Sequence, residues 1–152
     1  MQPFFDNLPL FLSVMGIFVS VALSGIGSAK GGAMIGKATA ALMSEQPEKF
    51  GPSLVLFMMS ASQGLYGFII GFLIFLNITD AITIVDAMRY FSAGLIMGVA
   101  GHFTAIHQSV AATAGVQILA KKPEHFTKGV MYSAMIETYA IFAFVVSVLI
   151  VL

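Results

Sequence analysis

The chain has 152 residues, 59% of them hydrophobic and 9% charged, with seven basic and seven acidic side chains balancing to a net charge of zero. So few polar groups cannot cover a water-soluble surface, and the absence of any basic excess argues against a nucleic-acid partner. With no Cys, a disulfide framework and a thiol site are excluded as well.

A helix needs about 20 apolar residues to cross hydrocarbon, and four windows of that kind are predicted. The first runs without a charge from Asn7 to Ala29. The six residues before it, with Gln2, Pro3 and Asp6 among them, contain no Lys or Arg and so lack the basic region of a cleaved secretory signal, and the span is expected to be retained. Its end reads Ser24-Gly25-Ile26-Gly27-Ser28-Ala29-Lys30-Gly31-Gly32, with Gly36 following. A phosphate loop is rejected, because no strand precedes it and no Gly-Lys-Ser/Thr closes it. Gly27/Gly31 and Gly32/Gly36 instead have the spacing of close helix packing in membranes.

The turn Ser44-Glu45-Gln46-Pro47-Glu48-Lys49-Phe50 leads into the second window, Phe50 to Thr79, again uncharged. The third, Tyr90 to Ala120, is interrupted only by His102 and His107. These are read as partners of backbone carbonyls rather than as ligands or proton relays. Met58, Met59, Met97 and Met131 are read as lipid or helix contacts, since a thioether is a soft ligand. After the turn Lys121-Lys122-Pro123-Glu124-His125-Phe126, the fourth window, Gly129 to Leu152, contains a single charge, Glu137.

The two turns coincide when the chain is shifted by 76 residues (123 minus 47), which predicts a duplicated hairpin. The expected fold is an all-α membrane protein of four transmembrane helices, with a first hairpin over residues 1–80 and a second over 81–152. Lys30, Lys37, Lys49, Lys121, Lys122 and Lys128 cluster at the turns, and Arg89 alone lies near the opposite connection. The positive-inside rule then places both turns in the cytoplasm and both termini outside.

A carboxylate in hydrocarbon is costly unless it is protonated or paired, so Glu137 is the leading functional candidate; its counterpart one repeat earlier is Ala61. Counting from each turn Pro at about 1.5 Å per residue sets Glu137, Gln108 and Gln63 within about 3 Å of one another in height. Tyr66 shares the face of Gln63, and Ser62 adjoins it. Several neutral oxygens around one carboxylate suit a hard cation, most simply Na+. A bare proton needs less and remains the alternative occupant; a structural pore or helix-packing module is the alternative of another class.

The segments Ser24-Gly25-Ile26-Gly27-Ser28-Ala29-Lys30-Gly31, Gln63-Gly64-Leu65-Tyr66-Gly67-Phe68, Ile118 to His125 and Met135-Ile136-Glu137-Thr138-Tyr139-Ala140 resemble the rotor-ring proteolipids, or c-ring subunits, of V-type ATPases, in particular those of bacterial sodium ATPases. That resemblance, over nearly the whole chain, implies a sodium site built from Glu137, Ser62, Gln63, Gln108, the backbone carbonyl of Met59, and Tyr66 bonding the carboxylate. Two positions depart from the family pattern: Ser62 stands where Thr is usual, and His107 stands beside Gln108. It further implies a homo-oligomeric ring turning in lipid against a stationary membrane subunit, with central-stalk subunits linking it to a soluble ATPase sector. The chain itself would do no ATP chemistry and hold no organic cofactor.

Overall fold

The computed structural model describes residues 2–152, with side chains from residue 7 onward, and everything regular in it is helical. Five helices follow one another: α1 (Gln2–Glu45), α2 (Phe50–Met59), α3 (Ser62–Asn77), α4 (Ile84–Lys121) and α5 (Phe126–Val151). Short 3-10 turns at Pro47–Lys49 and Pro123–His125 lead into α2 and α5. In both, the Pro opens the turn, where a missing N–H costs nothing.

Three helices, α1, α4 and α5, are each long and apolar enough to cross a membrane, and α2 with α3 adds a fourth span if the bent pair is taken as one. The expectation of one helix over Phe50 to Thr79 is therefore corrected: it is two helices, bent by 40° at Ser60–Ala61. Serine side chains compete there for backbone partners. Ser60 Oγ donates to Phe57 O at 3.2 Å, Ser62 Oγ donates to Met59 O at 2.9 Å, and the Gly64 N–H leaves its own helix to donate to Ser28 Oγ at 2.8 Å.

α1 and α4 also run well beyond their charge-free windows. At 44 and 38 residues they are longer than hydrocarbon requires, and around and beyond Lys37 α1 still packs on α4, with Ile35 and Leu42 in one cluster with Ala112, Val116 and Leu119. That contact is the most extensive in the molecule, followed by α4 with α5 and α1 with α3. Glycines allow the close approach of α1 to α4. A Cβ on Gly27 would lie 2.6 Å from His102 Cα, and one on Gly16 would lie 2.7 Å from Tyr90 O.

Side chains at the helix ends close the frame. Lys49 Nζ donates to Leu119 O at 2.9 Å and Ala120 O at 3.0 Å, placing a cation on the C-terminal carbonyls of α4. At the other end Thr83 and Asp86 form a capping box. Two apolar clusters result. One near the turns contains Ile35, Leu42, Leu56, Ala112, Val116 and Leu119, and the other, at the far end, contains Ile70, Ile74, Tyr90, Ala93, Met97 and Val151. Much of the outer surface is apolar too, with Phe18, Leu65, Phe75 and Leu149 all more than 60% exposed. Such a surface needs lipid or other helices against it.

Candidate functional site

Between the two apolar clusters lies a polar layer contributed by α3, α4 and α5. Gln63 and Gln108 are fully buried, whereas Glu137 is half-buried. Tyr66 Oη donates to Glu137 Oε1 at 2.9 Å, and Gln108 Nε2 donates to Glu137 Oε2 at 3.3 Å, so each carboxylate oxygen has its own donor. Gln63 Nε2 in turn donates to Gln108 Oε1, which extends the chain of hydrogen bonds onto α3.

The geometry follows from the helices that present these groups. Gln63 and Tyr66 are three residues apart on α3 and share a face. The ring of Tyr66 is held by Phe144, with centroids 5.1 Å apart. On α4, Ser133 Oγ from α5 donates to Gln108 O at 3.4 Å, which ties the two backbones together beside the site. Ser62 and Met59 flank the break, where the hydroxyl of one donates to the carbonyl of the other.

Gln63, Gln108, Tyr66 and Glu137 thus form one connected set, with Ser62 and Met59 adjoining it at the helix break. One atom in the layer is left over: Gln63 Oε1 is buried and has no hydrogen-bond partner among the described residues. An unpartnered buried carbonyl oxygen is costly, and it suits an electron-poor guest.

Two histidines stand apart from this set. His102 Nδ1 lies 3.1 Å from Leu23 O, a backbone partner as expected, and His107 is exposed beside Gln108. Met58 and Met131 are exposed and Met97 is buried in the far cluster. Sequence reasoning missed Ser28, Ser133 and Phe144. Ser28 supports the break from 36 residues away, and its signal, a Ser among packing glycines, says nothing about its partner.

The sequence profile of the ATP synthase C-subunit family matches the chain twice, at residues 15–74 and again at 91–150. The chain belongs to the ATP synthase C-subunit family. The two matches begin 76 residues apart (91 minus 15), the same shift that superposes the two turns. Among relatives of this C-subunit chain, the V-type sodium ATPase subunit K of Enterococcus hirae is 49% identical over 97% of this chain and 94% of its own length. The A-type ATP synthase subunit K of Methanocaldococcus jannaschii is 35% identical over 93% of this chain and 62% of its own length. The 16 kDa proteolipid of the V-type proton ATPase of Rattus norvegicus is 27% identical over 91% of this chain and 90% of its own length. As a C-subunit protein the chain is a non-catalytic membrane component of a rotary ATPase or synthase.

Proposed function

We propose that this chain is the rotor-ring proteolipid of a V-type rotary ATPase and that it carries Na+ across the membrane at Glu137. The observation that carries the reading is the layer at Glu137. One carboxylate at membrane depth is held by Tyr66 and Gln108, and the buried Gln63 Oε1 beside it lacks a partner among the described residues. The identity with a sodium ATPase subunit over almost the full length supports it.

In this reading Na+ is cargo. Glu137 would neutralise it, and Gln63 Oε1, Gln108 Oε1, Ser62 Oγ and the Met59 carbonyl at the break are the oxygens able to complete its shell. Tyr66 and the Gln108 amide orient the carboxylate. A neutralised Glu137 tolerates a lipid-facing position during rotation, whereas a bare one does not. The ion would therefore leave only where a stationary subunit offers a basic residue and a water path.

The same reading makes the chain one member of a homo-oligomeric ring. Its two hairpins, 1–80 and 81–152, would be set with the lysine-rich turns toward the cytoplasm and central stalk. A hydrophobic carbodiimide, which reacts with an accessible protonated carboxyl, tests the cargo in the purified ring at fixed pH. Na+ is expected to slow labelling of Glu137 while K+ does not. Labelling that follows pH and ignores Na+ would make the cargo a proton.

A further inference from the structure

The bend between α2 and α3 is not built into the covalent chain. Neither Pro nor Gly stands at Ser60–Ala61, so the remaining cause of a sharp kink is a side chain that enters the backbone ladder. Ser60 and Ser62 bond carbonyls within their own turns, which leaves the N–H groups that open α3 still to be satisfied. Ala61, at the cap position, has no side-chain oxygen to offer them. The cap comes instead from α1. The N–H of Gly64, third residue of α3, donates to Ser28 Oγ at 2.8 Å, where an unbroken helix would have used Ser60 O. Glycine is needed for this approach, since a Cβ on Gly64 would lie 3.2 Å from Ser28 Oγ and 3.3 Å from Ser28 Cβ.

The doubled family match relates each residue of the first repeat to one 76 positions later, and so supplies a comparison inside the molecule. Thr104 stands for Ser28 and Ala140 for Gly64. Thr104 Oγ1 donates to Ala100 O of its own helix at 2.7 Å, and α5 runs unbroken from Phe126 to Val151 through the buried Ala140. The outer helix of a hairpin is broken where its partner's hydroxyl caps it and continuous where that hydroxyl is engaged elsewhere.

We propose that Ser28 is a positioning residue of the carrier site: by capping α3 it opens the span at Ser60–Ala61 and so sets the Met59 carbonyl, Ser62 Oγ and Gln63 Oε1, the oxygens that flank the break. The inference rests on the sodium reading above and adds a residue that acts through the backbone of α3. Met59 ends α2, and Ser62 and Gln63 begin α3. A closed helix would bring α3 onto the axis of α2, from which it now departs by 40°, and would carry Ser62 and Gln63 with it. Selection among cations follows from cavity size and from the number and placement of ligands. Losing the cap therefore changes both the affinity of the site and its preference among ions.

Purified rings carrying single substitutions are compared by carbodiimide labelling of Glu137 at fixed pH, in graded Na+ and in graded Li+. Ser28→Ala is expected to raise the half-protecting Na+ concentration roughly tenfold, the order of a lost helix cap. It is also expected to change the ratio of the Li+ to the Na+ value by about threefold or more. Gly64→Ala, which crowds the same hydroxyl from the other helix, is expected to move the ratio in the same sense. Ser28→Thr keeps an accepting oxygen and is expected to leave the ratio near that of the unsubstituted ring. Ser20→Ala is the matched control. Ser20 Oγ donates to Gly67 O at 2.8 Å across the same two helices, away from the break, so its loss is expected to lower the melting temperature without moving the ratio. An unchanged ratio in Ser28→Ala, or an equal change in Ser20→Ala, overturns the proposal. If Na+ fails to protect even the unsubstituted ring, the sodium reading falls by itself, and amide hydrogen exchange over residues 60–66 tests Ser28 instead. Exchange is then expected to slow in Ser28→Ala as the helix closes, and unchanged or faster exchange overturns the proposal.

Discussion

Glu137 is held by two donors of different kinds, a phenol on α3 and an amide on α4, each on its own oxygen. Removing one of them separates orientation from charge. Tyr66→Phe keeps the ring against Phe144 and loses only the hydroxyl. A hydrogen bond to a charged group contributes about 1.5–3 kcal/mol, so the Na+ concentration that half-protects Glu137 from carbodiimide is expected to rise roughly ten- to a hundredfold. An unchanged half-protection concentration would remove Tyr66 from the site. The common depth of Gln63, Gln108 and Glu137 was legible from counting, because three helices of equal rise start from the same two turns. Which atom donates to which was not, since amide orientation depends on neighbours distant in sequence.

At the scale of the helix, glycine has two meanings in this chain. Gly27 faces the backbone of α4, and a methyl there would lie 2.6 Å from His102 Cα. Gly51, near the start of α2, has nothing within 4 Å of an added Cβ. Gly27→Ala is therefore expected to lower thermal stability in detergent, with overpacking costing about 1–3 kcal/mol. Gly51→Ala is expected to be neutral or to gain up to about 1 kcal/mol from lower backbone entropy. Equal melting temperatures for the two variants would count against α1–α4 packing as the frame of the fold. The spacing of Gly27 and Gly31 announced a packing face. The break at Ser60–Ala61 went unread because a run of serines is also compatible with an unbroken helix. The deciding hydrogen bond, from Gly64 N–H to Ser28, crosses between helices.

For the whole molecule, the rotor and pore readings diverge at one substitution. Glu137→Gln preserves shape and hydrogen-bonding capacity while removing the charge. In the assembled ATPase this variant is expected to abolish ATP-driven Na+ uptake into vesicles, with the multimer still present by native mass. A passive pore or packing module would retain its function. The apolar exterior bears on the same scale, since it must be divided between lipid and neighbouring copies.

Composition, hydropathy and the repeated turn determined that this is a helical membrane chain with an internal shift of 76 residues and one carboxylate in its apolar spans. Those properties are local or periodic, and each is written in consecutive residues. The tertiary structure decided what depends on residues far apart in the chain. It set the bend between α2 and α3, the separate donors on the two oxygens of Glu137, and the buried Gln63 oxygen left without a partner among the described residues. Hydrogen bonds are short and directional, so their pairing is settled only when packing has brought the helices together.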